Sequence, residues 1–225
     1  MSILGIIGGM GVKATGRFYE MLTDLQTVTC EQDYLDIFML SKPSTPDRTA
    51  FITGKSQKNP LDSLLESAKI LEKAGVDCIA LPCVTVHYFY EPLAQKMETP
   101  ILNMLEETAG YTASQGYDRI GLLATDGTLN GQLFHKAFKS RNIEVVLPSS
   151  EEQTVLMDLI YAIKRGNDVD LRLHTIAKRL FEQGAQAVVL GCTELYLKKS
   201  HDRECIDALE ILARAALKRL GTEPY

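Results

Sequence analysis

Two cysteines occupy matching places in the sequence, each just after a short apolar run. Cys83 lies in "IALPCVTVHYF" and Cys192 lies in "VVLGCTELY". A thiolate can remove a proton and a thiol can return one, so two cysteines in one site could act as a base and an acid. The alternative is that both are ordinary core residues, because cysteine is among the residue types most often buried.

An internal repeat favours the functional interpretation. The segment "AKILEKAGVDCIALPC", which ends at Cys83, aligns without a gap with "AKRLFEQGAQAVVLGC", which ends at Cys192. "LGIIGGMG" near the start of the chain also resembles "IGLLATDG" at 120–127. The repeat predicts two similar halves, each with a cysteine just beyond the carboxyl end of a strand. Ligands of open α/β sheets bind at those ends, so facing halves would bring the two thiols together across a cleft.

The elements that position these thiols alternate along the chain. Short apolar runs, rich in β-branched residues, alternate with longer amphipathic stretches; the runs are residues 3–7, 35–40, 78–81, 119–123, 143–147 and 187–190. Apolar runs of this kind are typical of parallel strands covered on both faces. We therefore predict an α/β fold of two pseudo-symmetric three-layer halves with mostly parallel sheets and the active site in the cleft between them. Their expected bounds are residues 1–100 and 101–204, with a last helix over about 205–220 packing back on the first half.

Composition narrows the function classes. The 225 residues carry a net charge of −5 with no basic tract, which argues against nucleic acid as a partner. No apolar run approaches the roughly 18–20 residues of a membrane helix, so no membrane role is expected. Five cysteines without a CxxC pair, and no export signal, indicate reduced thiols in the cytoplasm. The four histidines do not have the spacing of a metal site.

A glycine-rich turn follows the first predicted strand. "GGMGVKA" contains Gly9-x-Gly11-x-x-Ala14, which fits the dinucleotide-binding fingerprint loosely. The acidic residue that should end the second strand is missing, since Asp33 precedes that run and Asp36 lies inside it. An NAD-dependent oxidoreductase is therefore the least favoured function. The better interpretation is a turn that brings backbone N–H groups and a helix amino terminus to an anionic ligand such as a carboxylate.

Four charged or polar side chains could assist at the same sheet edges, and each has a simpler explanation. Arg48 in "SKPSTPDRT" could donate two parallel hydrogen bonds to a carboxylate, or it could lie in a solvated loop. Lys164 could bind an anion, or only complement a helix dipole. His87 could polarise Cys83, or be structural. Glu194 could be a thiol partner of Cys192, or a carboxylate at a helix start.

Six segments together resemble the aspartate/glutamate racemase family, whose members need no pyridoxal phosphate. Each segment alone is weak, but six in the family's order are specific: "GGMG" with Ala14-Thr15, "SKPSTPDRT", "PC-x-T-x-H" at 82–87, "LLATDGT" at 122–128, "IYAIKRG" at 160–166 and "LGCTE" at 190–194.

The resemblance implies an isomerase without a cofactor or metal, acting on an acidic amino acid and commonly assembled as a homodimer. It implies that Cys83 and Cys192 are the two acid/base catalysts of a Cα proton transfer. The residues expected to bind the substrate are Met10, Arg48, Thr85, Thr125, Lys164, Thr193 and Glu194. Among them, Thr85 and Thr193 would hold the α-carboxylate, and Arg48 and Lys164 would hold the side-chain carboxylate.

The sequence departs from the family pattern beside the first cysteine. The family usually has Asn there, and this chain has Val84. Losing a polar contact to a charged group costs roughly 1.5–3 kcal/mol, and Val84 and Val86 make the surroundings of the first thiol more apolar. Two alternatives therefore stay open: a related two-thiol isomerase of another dicarboxylate, and a non-catalytic binder of acidic metabolites.

Overall fold

Two parallel β-sheets form the centre of the molecule. The computed structural model describes residues 2–167, 171–195 and 204–222. The first sheet has the strand order β2-β1-β3 and the second the order β5-β4-β6-β7. The strands are β1 (Ile3–Gly8), β2 (Asp36–Ser41), β3 (Cys78–Ala80), β4 (Arg119–Ala124), β5 (Glu144–Val146), β6 (Ala187–Gly191) and β7 (Glu204–Asp207). Every paired strand is parallel to its neighbour, which confirms the α/β prediction.

Helices flank both sheets and connect their strands. They are α1 (Val12–Asp24), α2 (Arg48–Ile52), α3 (Leu61–Lys73), α4 (Tyr90–Ala94), α5 (Met104–Ser114), α6 (Asp126–Asn130), α7 (Leu133–Lys139), α8 (Ser150–Lys164), α9 (Leu171–Glu182) and α10 (Ala208–Leu220), with 3₁₀ turns at Glu31–Asp33 and Thr85–Phe89. A capping box begins α8, where Ser149 N donates to Glu152 Oε2 at 2.8 Å and Glu152 N donates to Ser149 Oγ at 3.3 Å. No helix in the described ranges has both the length and the apolar character needed to cross a membrane.

The repeat in the sequence corresponds to a repeat in the fold. The strand order β2-β1-β3 in the first sheet matches β5-β4-β6 in the second. Ile79 also forms a parallel bridge with Ile101, so the chain before α5 lies beside β3 as β7 lies beside β6. The two helices that follow these positions, α5 and α10, pack against each other, and α10 also contacts α1, β1 and β3. The boundary near residue 100 stays a prediction.

Three local expectations were wrong. β2 is an edge strand with exposed Phe38 and Met39, so it is not covered on both faces. The last helix begins at Ala208, and the preceding residues form β7, which places Cys205 in a strand. The helix cannot begin earlier because the Asp207 side chain accepts a hydrogen bond from Leu209 N at 2.9 Å and caps it. Cys30, whose flanking sequence predicts a helix, is instead the N-cap residue of the first 3₁₀ turn.

The largest apolar cluster joins the two halves. It contains β1 residues such as Leu4, β4 residues such as Leu122, the α1 residue Phe18 and the inner face of α10 around Leu212. Because α10 contributes to this cluster, a helix that follows the second sheet in sequence also helps to cover the first sheet. The halves are therefore held in one relative position by buried apolar surface.

We expect Phe18→Ala to lower the free energy of unfolding by about 3–5 kcal/mol, since Phe18 is fully buried in this cluster and its truncation leaves a cavity. Urea denaturation followed by circular dichroism measures the change. Tyr19→Ala is the matched control: Tyr19 is 47% exposed, so its loss should change stability by about 0.5 kcal/mol at most. Equal losses in the two variants would contradict the role given to Phe18.

Candidate active site

Both predicted cysteines lie beyond the carboxyl ends of equivalent strands and line one pocket. Cys83 follows β3 and Cys192 follows β6 directly, and each is 5% exposed. The residues that line the pocket come from both halves: Asp47, Arg48, Thr49, Cys83, Val84, Thr85, Thr125, Ile160, Tyr161, Lys164, Cys192, Thr193 and Glu194. All the predicted site residues are among them except Met10, whose carbonyl oxygen instead accepts a hydrogen bond from Arg48 Nη2 at 3.1 Å. The roles of these residues stay predictions.

The second cysteine is part of a buried chain of charged contacts. Cys192 Sγ donates to Glu194 Oε2 at 3.1 Å, and Glu194 Oε1 lies 3.1 Å from Lys164 Nζ. Burial, reinforced by the Glu194 charge, raises the pKa of Cys192 well above its ordinary value. Cys192 is therefore a protonated thiol in this arrangement, and Glu194 accepts its hydrogen bond.

Lys164 stays a cation in the same pocket. Burial alone would lower the pKa of Lys164, but the negative charge of Glu194, together with the charge that Cys192 and Cys83 carry when ionised, outweighs burial and leaves that pKa raised. Both cysteines therefore lie within electrostatic range of one ammonium group. Such a cation favours the thiolate form of Cys192 over what burial alone would allow.

Gly11 allows Glu194 to approach the amino end of α1. A Cβ atom at Gly11 would lie only 2.5 Å from Glu194 Oε1. Gly11 is the N-cap residue of α1, where the helix dipole stabilises a negative charge. Glu194 belongs to the second half of the chain and Gly11 to the first, so this contact spans the two halves.

Three threonine hydroxyls form a closed triangle, and two of the three residues, Thr85 and Thr125, line the pocket. Thr85 Oγ1 lies 2.9 Å from Thr125 Oγ1 and 3.1 Å from Thr128 Oγ1, and the last two are 3.1 Å apart. All three are buried. Gly127 permits this packing, because a Cβ there would lie 2.9 Å from Thr49 Cα and 3.0 Å from Thr85 Cγ2. Hydroxyls can donate as well as accept, so the triangle can reorient towards an anionic ligand.

Arg48 is held by neutral acceptors. Its guanidinium donates to the carbonyls of Met10 and Pro46, both at 3.1 Å. Its buried Nε has no acceptor, and no carboxylate pairs with its guanidinium, among the residues that the structure describes. Within that part of the chain, Arg48 therefore presents a charge to the pocket that no partner neutralises.

His87 has a structural position. Its Nε2 accepts from Met104 N at 3.2 Å, so its Nδ1 carries the proton and donates to Cys83 O at 2.9 Å. Burial lowers the pKa of His87, which keeps the ring neutral. Both ring nitrogens are occupied, and His87 fixes the backbone of Cys83 to the start of α5 rather than contacting its thiol.

No role in the site was predicted from the sequence for Tyr161, which lines the pocket, or for Thr128, whose hydroxyl contacts the lining residues Thr85 and Thr125. Tyr161 lines the pocket from α8, three residues before Lys164 and thus on the same helix face, a spacing that could have indicated it. Burial raises the pKa of Tyr161. Thr128 stands three residues after Thr125 and donates its N–H to the Thr125 hydroxyl at 3.1 Å, which is N-cap geometry.

Val84, which replaces the usual Asn of the resembled family, lines the pocket and also packs in the largest apolar cluster.

The free space between the side chains that line the pocket is about 10 Å³, which is room for about one water molecule. An amino acid can enter only if these side chains move apart. Within the described ranges, which leave out His201, no group of His, Cys, Asp and Glu side chains could hold a metal ion.

The charge of Glu194 should control when Cys192 ionises. In Glu194→Gln the carboxylate that opposes thiolate formation is lost while Lys164 remains, so the pKa of Cys192 should fall. We expect alkylation of Cys192 by iodoacetamide, followed by mass spectrometry across pH, to begin at lower pH than in the parent. Glu210→Gln is the control, since Glu210 pairs with Arg214 on the surface of α10. An unchanged or upward-shifted profile in Glu194→Gln would contradict this electrostatic account.

Sequence comparison finds a family and a curated relative that each match almost the whole chain. The profile of the family described as Asp/Glu/Hydantoin racemase matches residues 7–216. The broad specificity amino-acid racemase RacX of Bacillus subtilis is 30% identical over 229 residues, covering 98% of this chain and 97% of that protein.

Solved structures resemble the fold over its whole length. An aspartate racemase of Picrophilus torridus superposes with a TM-score of 0.89 at 29% identity, covering 100% of this chain and 96% of that one. A glutamate racemase of Francisella tularensis, solved with D-glutamate, has a TM-score of 0.73 over 98% of this chain and 81% of its own. At 16% identity the second likeness concerns the fold alone.

Proposed function

Because the chain belongs to the Asp/Glu/Hydantoin racemase family, we propose that it inverts the Cα centre of aspartate or glutamate by proton transfer between Cys83 and Cys192. The enzyme is an amino-acid racemase, an isomerase acting on a small-molecule amino acid. The observation that carries the finer proposal is the pair of thiols that reach one pocket from the two halves of the fold.

The two thiols divide the reaction into removal and return of a proton. One cysteine, as thiolate, takes the Cα proton from one face, and the electron pair stays on the carbon as a carbanion. The other cysteine, as thiol, donates its proton to the opposite face. The hydrogen bond to Glu194 keeps Cys192 protonated at the start, so Cys83 is the first base and Cys192 the first acid. The roles exchange for the opposite enantiomer.

The carbanion requires electrostatic stabilisation, since an α-proton is very weakly acidic. Negative charge develops on the substrate α-carboxylate as the proton leaves, and fixed donors aimed at it lower the barrier. The hydroxyls of Thr85 and Thr125, with the Thr193 hydroxyl and backbone N–H, are the groups proposed to hold this carboxylate. Glu194 Oε1, whose only charged neighbour among the described contacts is Lys164, is proposed to accept from the substrate ammonium group.

The side-chain carboxylate is assigned chiefly to Arg48. Lys164 is already paired with Glu194, whereas Arg48 is held by carbonyl oxygens and keeps its charge unneutralised among the described residues. Met10 supports this assignment indirectly, through the carbonyl that orients Arg48. The names of the relatives support amino-acid racemisation in general, and the Picrophilus enzyme is named an aspartate racemase.

Replacement of either thiol should abolish racemisation. In Cys83→Ser and in Cys192→Ser we expect the rate with aspartate and with glutamate to fall by at least about 100-fold, because each variant lacks one acid/base catalyst. Chiral chromatography measures inversion, and NMR in D2O measures α-deuterium incorporation. Cys30→Ser is the control, since Cys30 is exposed. Absence of deuterium exchange with both amino acids, while the parent's cysteines are reduced, would contradict the proposal.

Arg48 should select acidic substrates. We expect Arg48→Met to lower kcat/KM for aspartate or glutamate by about 10–100-fold, since a hydrogen bond to a charged group contributes roughly 1.5–3 kcal/mol. The same variant should change any turnover of alanine by less than about threefold, because alanine has no side-chain carboxylate. An equal loss of kcat/KM for all substrates would mean that Arg48 supports the structure of the pocket but does not bind the side-chain carboxylate of the substrate.

A further inference from the structure

We propose that Arg17 is a positioning residue for Cys192, because its guanidinium joins the loop that carries Cys192 to the end of the neighbouring strand β7. Arg17 lies on α1, in the other half of the molecule, and does not line the pocket. The inference rests on the proposed two-cysteine reaction, since it concerns how one of the two thiols is kept in place.

The first contact holds the loop after β6. Arg17 Nη1 donates to Leu195 O at 3.2 Å. Leu195 N in turn donates to Cys192 O at 2.9 Å, which closes a tight turn over Cys192, Thr193 and Glu194. Leu195 itself is fully buried. The guanidinium therefore grips the residue that ends the turn, and the turn fixes where the Cys192 thiol points.

The second contact holds the strand beside it. Arg17 Nη2 forms an ion pair with the carboxylate of Asp207. Asp207 is the last residue of β7, pairs in register with Leu190 of β6, and caps α10. Its side chain is 11% exposed, and a carboxylate in that position is costly to bury without a cation. Arg17 therefore ties the Cys192 turn to an anchored strand end.

The choice of arginine fits this geometry. A guanidinium offers several donors in a planar fork and can reach two acceptors at once, whereas a lysine ammonium is a single flexible point charge. Lys13, four residues earlier and thus on the same face of α1, also reaches the second half by donating to Gly166 O at 3.2 Å, but that contact is exposed. The contacts of Arg17 are less exposed than that of Lys13, since both are part-buried.

The experiment compares exchange with inversion. If the Cys192 thiol loses its position, Cys83 still removes the Cα proton of its own enantiomer and returns a solvent-derived deuteron to the same face. In Arg17→Met we therefore expect racemisation in D2O to fall by about 10–100-fold and α-deuterium exchange from that enantiomer to fall far less. The ratio of exchange to inversion should rise by about tenfold. A mere loss of folded protein lowers both rates equally and leaves the ratio unchanged.

Two variants guard against misfolding. Arg17→Met leaves Asp207 buried without this partner, so Arg17→Met/Asp207→Asn removes the carboxylate charge as well, and the raised ratio should persist in it. Arg17→Lys should recover part of the inversion rate, since it keeps a cation for Asp207. Arg214→Met is the matched control, because Arg214 pairs with Glu210 on the surface of α10; its ratio should equal the parent's. An unchanged ratio in both Arg17→Met variants would overturn the proposal.

A second readout separates this proposal from the proposed function. The rate of Cys192 alkylation relative to that of Cys83, measured by mass spectrometry, needs no substrate. We expect the relative rate to rise several-fold in Arg17→Met, since the turn is released. If the parent neither exchanges nor inverts any amino acid, the proposed function fails and the alkylation ratio still decides the position of Cys192. An unchanged alkylation ratio would then overturn the role of Arg17.

Discussion

A carboxylate buried where the two halves of the fold meet sets the conditions for the rest of the site. Glu194 is 8% exposed, and burying an isolated carboxylate costs several kcal/mol unless charges and donors compensate. Its compensation comes from both halves: the ammonium of Lys164 on α8, the amino end of α1 at Gly11, and the Cys192 thiol. The two halves must therefore lie in one relative position for the buried carboxylate of Glu194 to be stabilised. The same arrangement places Cys83 in the lining of the pocket that Cys192 and Glu194 also line.

The pseudo-symmetry of the fold does not extend to the chemistry of its two thiols. Equivalent strands deliver Cys83 and Cys192 to one pocket, but the residues after them differ in kind. Behind Cys83 stand Val84, packed in the apolar core, and His87, which ties the Cys83 carbonyl to α5. Behind Cys192 stands Glu194, whose carboxylate accepts a hydrogen bond from the thiol. In the proposed reaction, which begins with one thiolate and one thiol, this inequality assigns the thiol to Cys192.

The sequence predicted those parts of the structure that depend on a local pattern of residues. Apolar runs identified six strands, and the repeat ending at Cys83 and Cys192 predicted the paired sheets. β7 was not predicted, because the sequence of a four-residue strand with a charged residue at each end resembles the start of a helix as much as a strand. Thr128 and Tyr161 are visible as helix-cap and helix-face spacings only once α6 and α8 are placed. The contacts of Arg17 with Leu195 and Asp207 join residues about 180–190 positions apart in the sequence. A local sequence pattern cannot predict a contact between residues so far apart.

Val84 shows how packing can replace a polar contact without disturbing the scaffold. The side chain is 2% exposed and belongs to the cluster that joins the halves, so an amide in its place would need its own partners in apolar surroundings. Valine adds apolar contact there and removes a possible substrate contact. In the proposed reaction, recognition then depends more heavily on groups that the fold already holds in place: the threonine triangle, Arg48 on its carbonyl acceptors, and Glu194. In the proposed reaction such a site distinguishes substrates mainly by their charges, because Val84 offers no hydrogen bond at its position.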